Sequence, residues 1–459
     1  MVTSDDNTAL ANVLITTNPA TESVMTGPEG EFVFTDLAEG TYVVSAEKDG
    51  YERGNVSVTV RGGKEVRAII TMTRETSTKV VPAPKIVSPQ DNSVEQGQTV
   101  ILTWARGVVH PRDSIYYSLM VYDGGTSERV AHATDLRDTS FTLSGLRFGS
   151  TYFWQVIASN GEGAATNGDV WSFQIRRIPD NSILYTAYAG SSLEIFSTDS
   201  TLQNTLQLTF EPSRELWPRW NRQRSKIAFV SDREGAYNIY IMAADGSDVR
   251  RVTTLPIAGY QNNGVGYCWS PDAGWIFYGH YDKLYRVDQF GANMALIATA
   301  PAGRHFREIE WSQQYDRLVV HTVGANPYDS EIYLMNPDGS ILKELMGNVP
   351  GSLGSPSFSI DGGSVLFTRD LSGYEAADGR QLNAHIFSIS VDQKDTLDIS
   401  QMKPDGTNDL FPRFSPDGAW VIFTNMPNDN STFGAVWIMR RDGSARRRLV
   451  LSGLYPDWK

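Results

Sequence analysis

The stretch PRFSPDGAWVIFT, Pro412 to Thr424, holds an aromatic, a Ser-Pro-Asp-Gly turn signal and an apolar run. Relatives of it recur upstream. RWNRQRSKIAF places its aromatic at Trp220, CWSPDAGWIFY at Trp269, EWSQQYDRLVV at Trp311 and SFSIDGGSVLF at Phe358, with the quoted copy at Phe414. Spacings of roughly 40–55 residues are those of a repeat architecture. In every copy the apolar run starts seven residues after the aromatic, at Ile227, Ile276, Leu318, Val365 and Val421. A constant interval inside the repeat and a variable one between repeats describe a fixed hairpin joined by variable loops.

A third strand pattern follows in each copy: NIYIMAADGS from Asn238, KLYRVDQFGA from Lys283, EIYLMNPDGS from Glu331, HIFSISVDQK from His385 and AVWIMRRDGS from Ala435. A fourth comes after it, such as VRRVTT or RRRLVL. Four antiparallel strands per unit are the blades of a propeller. Ile183 to Thr209 supplies strands two to four of one more unit but no aromatic first strand, and LYPDWK, Leu454 to Lys459, matches LWPRW and LFPRF. We therefore expect six blades over residues 181–459, with the C-terminal strand closing the ring and leaving no free sheet edge. These repeats resemble TolB-type propellers. The α/β domain that precedes the propeller in that family has no counterpart here.

Upstream, GEFVFTDLAEGTYVVSAEKDGYE, Gly30 to Glu52, reads as two strands joined by Leu-Ala-Glu-Gly with a turn at Asp49-Gly50. It resembles the carboxypeptidase regulatory-like family, with Glu29-Gly30 where Asp-Gly is usual, and implies a small β-sandwich over residues 1–78. That family opens with a strand inside which this chain already begins. We expect a missing upstream segment, with room there for a signal or a lipid anchor. Residues 83–177 resemble a fibronectin type III module through ILTW at Ile101–Trp104, through Leu146 and Tyr152 in LRFGSTYFWQVIAS, and through WSF at Trp171–Phe173. The Leu146 and Tyr152 spacing implies a tyrosine corner. The linkers KVVPAPK, Lys79 to Lys85, and RRIPDNS, Arg176 to Ser182, are stiffened by proline. The expected fold class is all-β: two N-terminal sandwich modules, then a six-bladed propeller.

The bulk numbers agree with folded β modules. Of 459 residues 41% are hydrophobic and only 20% charged, enough to bury real cores. A net charge of −13 excludes nucleic acid as a partner, because phosphates need an excess of Lys and Arg. The one basic run, Arg446 to Arg448, reads as a solvated strand end. Cys268 is the sole cysteine, so an internal disulfide and a CxxC metal site are excluded, and it reads as a small core residue. No apolar run reaches the roughly 20 residues of a membrane span.

The turns between strands one and two and between three and four are short and share one face, which reads as structural. The other face carries irregular loops such as RDLSGYEAADGRQLNAH, Arg369 to His385, and TNMPNDNSTFGA, Thr424 to Ala435. Variable loops on a rigid scaffold are where binding lives. Residues entering the inner strands are expected to rim the channel mouth there: Arg214 and Glu215, Asn262 and Asn263, His305 and Arg307, Asn408 and Asp409. With Tyr260, Phe306 and Phe411 nearby, this set suits a peptide segment or a glycan; the competing reading is that it only coordinates water.

For catalysis the signals are weak. No GxSxG elbow, HExxH, phosphate loop or glycine-rich nucleotide fingerprint is present. Some oligogalacturonate lyases use similar blades with histidines holding a metal, and this propeller has His280, His305, His321 and His385. None lies at a short metal spacing; His321 reads as a hydrogen-bonded core residue and His280 as a loop-edge one. Asp370 and Glu375 are an acid–base pair only if they are not simply solvated. We expect no catalytic residue, no metal and no cofactor. The expectation is an exported, non-catalytic protein of the bacterial envelope, periplasmic or cell-surface, whose loop face recognises a protein partner or a polysaccharide. The alternatives are a metal-assisted polysaccharide lyase and a structural subunit of an envelope assembly. Convergence of at least three of the four histidines would favour the lyase.

Overall fold

The computed structural model describes residues 1–74, 81–107, 114–160, 163–312, 314–376, 379–392 and 396–459. The expected end of the first module at residue 78, the first two residues of the linker that begins at Lys79, and residues 377–378 of the long loop after Arg369 lie outside the described residues. All regular elements among the described residues are strands, and the chain divides into two units, Met1–Arg177 and Ile178–Lys459.

In the N-terminal unit, one four-stranded sheet runs in the order Val24–Met25, Leu14–Asn18, Gly40–Glu47, Gly54–Val60. Val2–Ser4 and Ile70–Met72 form a separate parallel pair. In Gly40–Glu47 every second residue, Tyr42, Val44 and Ala46, is buried, which is what a half-exposed strand requires. The expected strand through Phe32 and Phe34 does not form. Both rings pack on the core and meet edge to face at 6.0 Å, yet Glu31 to Glu39 pairs with no strand. Alternation dictates which side chains go inside; it does not provide a neighbour to complete the ladder.

The rest of this unit has a five-stranded sheet, Arg129–Leu136, Tyr116–Asp123, Thr151–Ser159, Ala165–Ile175, Ser93–Gln96, and a three-stranded one, Ser140–Leu143, Val100–Ala105, Lys85–Ser88. Trp104, Tyr117, Trp154 and Trp171 lie in their shared core. The Tyr152 hydroxyl accepts a hydrogen bond from the Arg147 N–H at 2.9 Å, closing the turn after the buried Leu146.

The second unit consists of six four-stranded sheets. Their inner strands are Leu454–Trp458, Glu215–Trp220, Tyr267–Trp269, His305–Trp311, Leu353–Phe358 and Thr407–Phe414, taken below as blades one to six. Each sheet packs on the next, blades two and three through a shared core of Ala228, Val230, Tyr267 and Trp269, and the sixth returns to the first through contacts with Leu454–Trp458. That strand pairs antiparallel with Ile183–Ala189, Ile183 opposite Trp458, so the two ends of the unit share blade one.

The repeated turn motif has a direct physical role. In blade six the Ser415 hydroxyl binds the Asp417 carboxylate, Asp417 accepts the Ala419 N–H at 3.0 Å, and Ser415 accepts the Trp420 N–H at 2.9 Å. Ser270 with Asp272 and Ser359 with Asp361 do the same, each capping a tight hairpin. The turn between strands three and four needs glycine for two reasons. Gly443 has φ +85°, and a Cβ there would come within 2.5 Å of the Ile399 carbonyl on the preceding blade. Gly246 against Leu208 is the same arrangement in blade two.

Candidate functional site on the loop face

The inner strands bend just before they enter the channel. The residue three positions before each repeat aromatic sits in the left-handed region in five blades: Trp217, Gly266, Ser355, Phe411 and Tyr455. Register shifts between Leu216 and Arg219, Gly354 and Ser357, and Leu410 and Arg413 mark the extra residue of a β-bulge. These residues divide the mouth into two halves. Blades one, two and six place Tyr455, Trp217 and Phe411 there, with ring centroids 3.5, 4.8 and 5.0 Å apart pairwise. Blades three, four and five place Gly266, Glu308 and Ser355 there instead. One half of the mouth is therefore closed by packed aromatics, one pair stacked and two edge to face, and the other half lacks them.

The structure separates the eight residues expected at the rim. Glu215, Asn408 and Asp409 are buried and already engaged, which removes them from any ligand surface. Glu215 accepts from Ser231 at 2.8 Å and Arg233 at 3.0 Å; burial pushes its carboxyl up. Asn408 accepts from the Ala384 N–H at 2.8 Å and donates to the Gln381 carbonyl at 2.7 Å. Asp409 accepts from Ser400, Asn425 and both terminal nitrogens of Arg446. Polar residues entering a narrowing ring pair within their own blade, as Glu215 and Asp409 do, or with the preceding one, as Asn408 does, an outcome invisible to loop position alone. Arg446 corrects the reading of its basic run as well: its side chain is buried on Asp409, and only Arg447 and Arg448 are exposed.

The other five stay at the surface or lack partners. Arg214 pairs with Asp232 at 2.7 Å and lies over the Tyr237 ring. The Asn263 carbonyl accepts from the Trp217 indole N–H at 3.3 Å. Both amide atoms of the Asn262 side chain are shielded from solvent and have no hydrogen-bond partner among the described residues. Arg307 is half-buried. His305 stacks on Tyr260 at 3.8 Å, meets Tyr281 edge-on, and accepts the Tyr260 N–H on Nδ1 at 3.0 Å. Burial, opposed by the nearby Asp282, lowers the pKa of its imidazole.

One feature of this face went unread in the sequence. In five blades the connection between second and third strands carries an aromatic, Tyr237, Tyr281, Tyr328, Tyr374 and Phe433 in blades two to six, and in blade one Tyr188 sits at the end of the second strand, just before that connection. Tyr374, Tyr188 and Tyr281 are 76%, 54% and 49% exposed, and Tyr188 packs on Phe433 across the ring closure at 4.8 Å. Aligning the copies on these loops would have found them; aligning on the Ser-Pro-Asp-Gly turn hides them, because the loops differ in length.

The four histidines do not converge. His280 Nδ1 faces the Pro256 carbonyl at 2.7 Å, His321 Nδ1 the Glu308 carboxylate at 2.8 Å, and His385 Nδ1 Asp398 at 2.9 Å. Among the described residues no three His, Cys, Asp or Glu side chains form a group able to hold a metal. Asp370 and Glu375 are no pair either. Asp370 is buried and accepts three loop N–H groups, from Ser372, Leu382 and Asn383, while Glu375 is exposed.

Residues 1–73 match the carboxypeptidase regulatory-like domain family. Over 178 residues the chain is 26% identical to the uncharacterized peptidase YuxL of Bacillus subtilis (strain 168), a match covering 36% of this chain and 23% of that relative. The chain thus spans less than a quarter of the curated relative it matches. Among solved structures, TolB from Acinetobacter baumannii is similar with TM-score 0.48 and 16% identity over 68% of this chain and 80% of that one. A putative TolB from Agrobacterium tumefaciens gives 0.46 and 17% over 60% and 91%. An oligogalacturonate lyase in complex with manganese gives 0.38 and 16% over 59% and 73%. The propeller assignment itself rests on the sheet order and ring closure described above.

Proposed function

We propose that this protein is a non-catalytic binding platform whose loop face recognises an extended ligand, a protein segment or a polysaccharide. The observation that carries this reading is the set of aromatics on the loop face, five in the second-to-third-strand connections and Tyr188 at the strand end beside the sixth, near a mouth whose acids are already engaged. Aromatic side chains supply large contact area at low entropic cost, and a rigid scaffold keeps that cost low. Arg214, Asn262, Asn263, His305 and Arg307 are the polar contacts in this proposal. The N-terminal sandwiches, residues 1–78 and a fibronectin type III-like 83–177, would act as spacers ahead of a 181–459 propeller in an exported envelope protein.

The experiment is binding of the full chain to arrayed polysaccharides and to a linear peptide library, repeated with Tyr281→Ala and Tyr374→Ala. Binding in one panel that weakens about tenfold in the variants, with unchanged melting, supports the platform. Binding indifferent to both variants would sink it. Stoichiometric metal in the purified protein, lost in His305→Ala, together with turnover of a uronic-acid polysaccharide, would overturn this reading in favour of a metal-assisted lyase.

A further inference from the structure

Two positions further along each inner strand the channel narrows to a second ring. The residue directly before each repeat aromatic lines it: Arg219, Cys268, Glu310, Ser357, Arg413 and, on the blade shared by the two ends, Asp457. With the aromatics that follow them these residues enclose about 60 Å³, and Pro271 and Ile360 in the same lining place the opening on the face of the Ser-Pro-Asp-Gly type turns. A water needs roughly 10–15 Å³ of such space. The room suits a group of four or five heavy atoms, and falls well short of the roughly 300 Å³ of a drug-sized pocket.

The charges in this ring are unequally paired. Arg413 Nη1 lies 2.5 Å from Glu310 Oε2. The Asp457 carboxylate accepts the Trp220 N–H at 2.8 Å. The Arg219 guanidinium donates only to the Pro218 carbonyl, at 3.2 Å, and no carboxylate among the described residues comes within 4.0 Å of it. Most of its five donors are unused. Burial first, and the facing Arg413 second, push its pKa down. A half-buried guanidinium opposed by another is unfavourable even with Asp457 and Glu310 offsetting part of the repulsion, and an anion bound beside both guanidinium groups would relieve it through charge-assisted hydrogen bonds. Arg222 and Lys459, also in the lining, add positive charge.

We propose that this ring is a binding site for a phosphate-sized oxyanion, held by Arg219 and Arg413 beside the Ser357 hydroxyl. The site is separate from the loop-face platform and stands or falls independently of it.

The test is thermal unfolding of the full chain titrated with sodium phosphate, ionic strength being balanced with gluconate, which is too bulky for the space. The expected result is a saturable rise in midpoint that is absent in Arg219→Met, a variant that keeps side-chain volume and removes the charge. An equal rise in the variant, or none in the wild type, overturns the proposal. Cys268, the chain's one cysteine, lines the same space and provides a second readout that does not depend on the variant folding. Phosphate should slow its alkylation by iodoacetamide about threefold or more relative to gluconate; equal rates in the two salts overturn the site.

Discussion

The guanidinium of Arg446 grips the carboxylate of Asp409 at both oxygens, 2.7 and 2.5 Å, linking the turn between outer strands of blade six to its inner strand. Arg446 also lies over the Phe423 and Trp437 rings, at 4.7 and 5.1 Å, so the fork is held in place before it meets the acid.

Removing one partner leaves a buried charge uncompensated. Asp409→Ala and Arg446→Ala should each cost about 3–5 kcal/mol in urea unfolding. Asp409→Leu combined with Arg446→Met should recover much of that loss. A single-variant cost under about 1 kcal/mol would show that the pair is not sealed from water.

Glu308 predicts an acid limb. Burial pushes its carboxyl up, but the His321 hydrogen bond, the positive charges of His321 and Arg307 and the Ser355 N–H outweigh that and hold it at about 2. A carboxyl lowered from 4.5 contributes stability that is complete above its unfolded value and disappears as pH falls towards 2. In Glu308→Gln, stability between pH 5 and 2 should fall less steeply; curves of identical slope would refute the assignment.

Gly266 has φ +110°, and a Cβ there would lie 1.8 Å from the Arg307 carbonyl. Gly266→Ala should lose more than about 2 kcal/mol or fail to fold, by combined backbone strain and overlap. A melting temperature within a degree of wild type would mean the mouth can widen.

The aromatic half of the mouth is structural as well as chemical. Trp217 is 6% exposed and stacks on Tyr455 at 3.5 Å. Trp217→Ala should cost about 3–5 kcal/mol, whereas Tyr374→Ala, at an exposed loop tip, should stay within about 0.5 kcal/mol. Equal losses in calorimetry would contradict the division between the buried aromatics of the mouth and the exposed loop aromatics.

Much of the architecture was legible because hairpins are local. The aromatic, the Ser-Pro-Asp-Gly cap and the apolar run lie within thirteen residues of Pro412–Thr424, and their chemistry needs no distant partner. The pairing of Ile183–Ala189 with Leu454–Trp458 was legible for a different reason: each end lacked what the other had. The strand through Phe32 and Phe34 was misjudged since a ladder needs a neighbour, and alternation is silent about neighbours.

The site depended on tertiary structure almost entirely. Asp409 looked like a rim carboxylate until Arg446, 37 residues on, folded back onto it. Arg446 looked like part of a solvated run for the same reason. Asp370 looked like a candidate acid until its own loop turned three N–H groups onto it. Sequence by itself determined which segments pair and where turns fall, because those follow from periodicity and short-range hydrogen bonding. Which charges are engaged, which lack a salt-bridge partner like Arg219, and which rings face solvent was decided only when six blades closed on a common axis. Charge pairing depends on distances between residues that the chain keeps far apart.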